Sequence, residues 1–169
     1  MNYTKEELEF IKYFGVEKLE ELEIQDKLNI FIKYICKNYL GNIEPIFAVF
    51  DHTIKSTALY HFDLNAIILH PKNKNDMTRL KISILHELEH YFQWVYVNNF
   101  NTNKAKRWTK EIENYNTNKK HYYNQEIEID AIAFSQVVMY EEYKLKVEVK
   151  DNKLQNKINK YKLIMNDYK

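Results

Sequence analysis

Ile84-Leu85-His86-Glu87-Leu88-Glu89-His90-Tyr91-Phe92 sits at the centre of the strongest helical pattern in this 169-residue chain. Leu80, Ile84, Leu85, Leu88, Tyr91, Phe92 and Val95 recur at spacings of three and four, which gathers them on one face of a long helix opening at Asp76, a residue suited to an N-cap. Residues four apart stand one turn above the other, so His86 and His90 can direct a ring nitrogen each at one metal ion, at about 2.0–2.1 Å. Glu87 is rotated about 100° from His86. That sets its carboxylate beside the metal, where it can take a proton from activated water. Leu85, Leu88 and Phe92 hold the core-facing positions, so the histidines form a polar seam in an otherwise buried helix.

Two imidazoles leave a site incomplete. A third histidine ligand on the extended form of this motif needs Gly at position 93 and His at position 96; the chain has Gln93 and Tyr96. A carboxylate from a later helix is the alternative. The last major helix, read over Asn124 to Tyr143, opens with Gln125-Glu126-Ile127-Glu128-Ile129-Asp130-Ala131. Glu126 and Asp130 are four apart and share a face. Glu126 is therefore the expected ligand, and Asp130 the carboxylate that accepts the free N–H of a metal-bound imidazole and fixes its tautomer. Glu128, about 200° from Glu126, falls off that face. Two imidazoles and a carboxylate suit one Zn²⁺ per chain.

Outward from these helices the pattern changes. Ile46 to Phe50, Thr57 to Phe62 and Ala66 to Leu69 are short β-branched or aromatic runs between polar turns and read as strands. Before them, Thr4 and Glu7 form a capping box for a helix over Leu8, Ile11 and Phe14 that Gly15 ends. Leu19, Leu22 and Ile24 mark a second helix. A third runs from Asp26, with Leu28, Phe31, Ile32, Ile35 and Cys36 on one face, to near Gly41. After Asn98–Asn103 a polar helix carries Trp108 and Ile112. In the Lys- and Asn-rich tail Leu154, Ile158, Tyr161 and Met165 keep helical spacing. The expected architecture is α+β in one domain over 1–169: N-terminal helices over 1–42, a core over 45–145 with a small, mainly antiparallel sheet packed on the His-bearing helix, and a helical tail over 150–169.

Composition narrows the function. Hydrophobic residues at 45% and charged residues at 29% describe a folded chain, and only 2 Gly and 2 Pro leave long helices uninterrupted. A net charge of +1 gives no field for nucleic acid or anionic membrane. The basic stretch Lys104-Ala105-Lys106-Arg107-Trp108 reads as a solvated helix face. One cysteine, Cys36 in an apolar stretch, excludes an intramolecular disulfide and a Cys-based zinc site. His52, His61 and His70 have no ligand spacing. No apolar run approaches the roughly 20 residues of a membrane span, and residues 1–10 carry no signal-peptide core. A cytoplasmic protein is expected.

His86-Glu87-Leu88-Glu89-His90 followed by Glu126-x-x-x-Asp130-Ala131 resembles the gluzincin metallopeptidases, the thermolysin-like and small minigluzincin families. The run from Glu126 to Phe134 looks most like the glutamate helix of small bacterial and phage peptidases of the ImmA/IrrE type. The similarity covers about Pro45 to Tyr140, with Glu89 standing where many relatives have Gly. It implies a zincin-like fold, hydrolysis of a peptide bond in a protein or peptide substrate, Glu87 as general base, and Ala66–Leu69 as the edge strand that aligns substrate. It also implies a donor for the oxyanion, for which His121, Tyr122 and Tyr123 stand closest before the glutamate helix. The competing reading is a non-catalytic partner-binding protein on the same fold.

Overall fold

The computed structural model describes Leu8 and residues 23–166, apart from the side chains of residues 119, 120 and 164–166. The helices read over residues 1–22 lie outside the described residues, save Leu8, which is helical and exposed. Helix α1 (Ile24–Asn38) buries Leu28, Phe31, Ile32, Ile35 and Cys36, the face its spacing marks. Asp26 in its first turn and Lys37 in its last complement the helix dipole. The chain then reverses through Gly41 (φ 68°) and Asn42 (φ 59°), where the left-handed backbone favours glycine and asparagine.

Strands β1 (Phe47–Phe50), β2 (Ala58–His61) and β3 (Ala66–Leu69) form one sheet in the order β1-β3-β2. The α+β class holds. The sheet is mixed rather than mainly antiparallel: β1 pairs β3 in parallel and β2 pairs β3 antiparallel. Ala66–Leu69 is therefore the central strand and not the edge. All four of its residues are buried, as an unbroken apolar run flanked on both sides requires. Strand β2 alternates buried and outward residues and is an edge.

Helix α2 (Met77–Asn99) follows, with Asp76 Oδ1 accepting the Arg79 N–H at 2.9 Å as the N-cap. Leu80, Ile84, Leu85 and Leu88 are fully buried against α1 and the sheet. At about 1.5–3 kcal/mol each, they fix the rotation of α2 and hence the direction of its opposite face. Thr102 caps α3 (Asn103–Glu113), whose Trp108 is fully buried. A short helix α4 (Lys119–Tyr122) leads into α5 (Glu126–Tyr143), which lies along α2 and ends at Lys144 in the left-handed region. Helix α6 (Asn152–Asn166) docks on α5 through Ile158, with Leu154 and Tyr161 partly buried. Gln136 and Gln155 clasp each other beneath it, each amide donating to the other's oxygen at 3.1 and 3.0 Å. Met165 of the tail pattern is outside the described side chains. Among the described residues no helix is long and apolar enough to cross a membrane.

Candidate metal centre

Helix α2 presents His86 and His90 on the face turned from the core, and α5 brings a carboxylate to them. That carboxylate is Glu128. His86 Nε2 and His90 Nε2 are 3.1 Å apart; His86 Nε2 is 3.3 Å from Glu128 Oε2, and His90 Nε2 is 3.3 Å from Glu128 Oε1. Donors held at about 2.0–2.1 Å around a tetrahedral ion lie about 3.3 Å from one another, so the spacing is one that a metal ion could bridge. Two further features favour a cation. Two imidazole nitrogens converge at 3.1 Å, where at most one N–H fits between them, and the buried Glu128 Oε2 faces His86 Nε2 at 3.3 Å. The His86, His90 and Glu128 group could hold a metal ion.

Glu126, the expected ligand, is two positions out of register. It forms a two-bond pair with Arg107 (Nε to Oε2 3.0 Å, Nη2 to Oε1 3.2 Å) and accepts from the Tyr161 hydroxyl at 3.2 Å. Burial works against its charge, yet the Arg107 guanidinium holds its pKa below the usual carboxylate value. The reason for the shift lies in competition for partners. The stretch read as a solvated basic face supplies the one arginine that claims Glu126, and the helix turns Glu128 toward the histidines, fully buried.

Asp130 reaches the imidazole through an intermediary. Its Oδ2 accepts from Gln93 Nε2 at 3.1 Å, and Gln93 Oε1 meets His90 Nδ1 at 2.9 Å. Asp130 also faces Glu89. Burial, then the neighbouring Asp130 charge, pushes the Glu89 pKa well above the usual range. Burial raises Asp130 as well, against the opposing charge of Lys104.

Electrostatics within the cluster follow from its pairing. Burial opposes ionisation of Glu128, but the hydrogen bonds and charges of His86 and His90 hold its pKa far below the usual value. Burial likewise disfavours charge on His90. The Glu128 carboxylate, with Glu87 and Gln93 behind it, overcomes this and pushes the imidazole up to about 9. A cation is thus what this pocket is built to attract, a proton in the absence of a metal.

Glu87 lies one residue along α2 from His86, and its Oε2 accepts the Tyr60 N–H of edge strand β2 at 2.9 Å. Of the three expected oxyanion donors, Tyr122 lies against Glu128 and Tyr115, whereas the His121 and Tyr123 side chains are exposed. A second hydroxyl at the cluster is one the sequence did not single out: Tyr115 donates to Glu128 Oε1 at 2.5 Å. In a chain with 14 Tyr, nothing in the spacing marks it. Gln93 was legible in principle, three residues after His90 and therefore on an adjoining face. Cys36 is a buried thiol pushed up to about 12 by burial, remote in character from any reactive cysteine. Comparison with family models, with curated proteins and with solved structures finds no match for this chain.

Proposed function

We propose that this chain is a zinc-dependent metallopeptidase whose ion is held by His86, His90 and Glu128. The observation that carries the reading is the mutual spacing of the three donors, 3.1–3.3 Å, with a second carboxylate, Glu87, on the same helix as the two histidines. Two imidazoles and one carboxylate are the donor set of a hydrolytic zinc site with a position open to water, and a purely structural site has no use for a neighbouring general base. Of the resemblance to gluzincins, the His86-Glu87-x-x-His90 half points the same way, whereas its Glu126-x-x-x-Asp130 half does not supply the carboxylate.

Bound zinc would lower the pKa of a water from about 15.7 toward about 7 and polarise a substrate carbonyl. The chain's own residues do the rest. The Tyr60 N–H fixes one oxygen of Glu87, so the carboxylate is held in one orientation while it takes the proton of the attacking water. The water oxygen bonds to the carbonyl carbon, the C–N bond breaks, and the proton held by Glu87 passes to the departing amine. The Tyr115 hydroxyl, whose one proton goes to Glu128 Oε1 in the resting site, would have to turn from that oxygen to donate to the negative charge that develops on the carbonyl oxygen.

Glu87→Gln tests this. The variant retains shape and the Tyr60 contact, so fold and zinc content should stay as in the wild type, while hydrolysis falls by about 10²–10⁴-fold. The assay compares new protein termini in a cellular proteome treated with each form. Identical termini from both, or none from either, would replace the peptidase with a partner-binding protein on the same scaffold.

A further inference from the structure

We propose that Gln93 is the positioning residue of this centre: it locks His90 in the Nδ1–H tautomer, so that Nε2 offers its lone pair to the ion, and it ties that imidazole to the helix carrying Glu128. The inference rests on the metal reading above and adds to it a residue that the histidine motif does not contain.

The orientation of the Gln93 amide is determined by its neighbours. Its Nε2 lies 2.9 Å from the Ile127 carbonyl oxygen and 3.1 Å from Asp130 Oδ2. A backbone carbonyl can only accept, so this end must be the NH₂ group. The opposite end is then Oε1, an acceptor only, at 2.9 Å from His90 Nδ1. That contact is a hydrogen bond only when Nδ1 carries the proton. A neutral His90 therefore has its lone pair on Nε2, the atom 3.1 Å from His86 Nε2 and 3.3 Å from Glu128 Oε1. Gln93 is 1% exposed, so no bulk water competes for its oxygen.

The same amide couples two elements. Ile127 precedes Glu128 in the first turn of α5, and Gln93 follows His90 by less than one turn of α2. Gln93 thereby fixes the distance between the turn that supplies the imidazole and the turn that supplies the carboxylate. Asp130 acts behind it as the anchor of the amide. A direct carboxylate–imidazole bond would leave Asp130 on the imidazole; here the amide lies between them and transmits the orientation without placing another charge on the ring.

The test uses the full chain and Zn²⁺ alone. Two quantities are measured for wild type, Gln93→Met and Gln93→Glu: zinc affinity by competition with a chromophoric chelator, and the His90 tautomer by ¹⁵N correlation spectra of the zinc-free protein at pH 10, above the point where the His90 ring loses its charge. Methionine keeps the length and removes both functions. It should release His90 to populate the Nε2–H form and weaken zinc by about 10–100-fold. Glutamate, its outer oxygen protonated and donating to the Ile127 carbonyl, keeps its other oxygen toward His90, so it should retain the Nδ1–H form and recover most of the affinity. A merely structural residue would change stability in both variants without moving the tautomer. If Gln93→Met fails to fold, Gln93→Glu carries the test: loss of the Nδ1–H form there overturns the proposal. So does wild-type His90 in the Nε2–H form, or a Gln93→Met protein that binds zinc within threefold of wild type. Wild-type protein that takes up no zinc overturns the metal reading itself, and the positioning role with it, a result separate from any failure among the variants.

Discussion

Replacing Glu128 by Gln removes one negative charge from between His86 and His90 while keeping the side chain's shape and its acceptor for Tyr115. The side chain is fully buried, so water cannot take its place. Apparent zinc binding of about 10–16 kcal/mol in four-ligand sites corresponds to about 2.5–4 kcal/mol per ligand. At 1.4 kcal/mol per tenfold, the variant should lose on the order of 10²–10³-fold in zinc affinity. Glu126→Gln is the matched control. Its two-bond pair with Arg107 joins side chains 25% and 57% exposed, a class of contact worth about 0–1 kcal/mol to stability, and it touches neither histidine. Zinc titrations against a chromophoric chelator should therefore separate the two variants by at least 100-fold, with Glu126→Gln indistinguishable from wild type. The reverse ranking would show that the ion draws Glu126 into the site and that the α5 register described above is not the metal-bound one.

The other predictions concern protonation and the oxyanion. In the zinc-free protein the raised His90 pKa contributes stability that is complete below its ordinary value near 6.5 and lost as pH rises through about 9; the depressed Glu128 pKa contributes stability present above its ordinary value near 4.5 and lost as pH falls toward its folded value. The cluster's contribution to thermal stability should therefore be greatest between about pH 4.5 and 6.5, a plateau that Glu128→Gln flattens in melting curves taken across pH. Zinc runs the other way: it must displace the His90 proton, so its affinity should climb about tenfold per pH unit up to about 9 and then level. Tyr115→Phe removes the hydrogen bond to Glu128 and should weaken zinc by about 10–100-fold, and at saturating zinc it should lower hydrolysis of a peptide substrate by about 10²–10³-fold; an undiminished rate would assign the oxyanion to another donor, with Tyr122→Phe the next variant to assay.

The parts of this molecule that were legible in its sequence are those where one periodicity dominates. On α2, apolar residues at every third or fourth position left a single polar seam, and the two histidines occupy it as the spacing required. Helix α5 has no such seam. Ile127, Glu128, Ile129, Asp130 and Ala131 are all buried, because α2 covers one side, α6 another and the tyrosines of α3–α4 a third. When a helix is enclosed on every side, periodicity no longer says which carboxylate faces which neighbour; the pairing is decided by partners distant in sequence, Arg107 for Glu126 and Gln93 for Asp130. The pairing of Glu126 with Asp130 by the i, i+4 rule was sound helix geometry applied where tertiary partners ruled. The sheet shows the same division. Strand positions followed from the β-branched runs, whereas strand order did not, although the wholly apolar Ala66–Leu69 already had the composition of a central strand.

The most direct measurement is a zinc K-edge X-ray absorption spectrum of the purified, zinc-loaded chain. The account predicts one zinc per chain with two imidazole nitrogens at about 2.0–2.1 Å and carboxylate oxygen at about 2.0–2.2 Å, the imidazole scattering halved in His90→Ala. A shell without imidazole scattering, or one unchanged in His90→Ala, would contradict it.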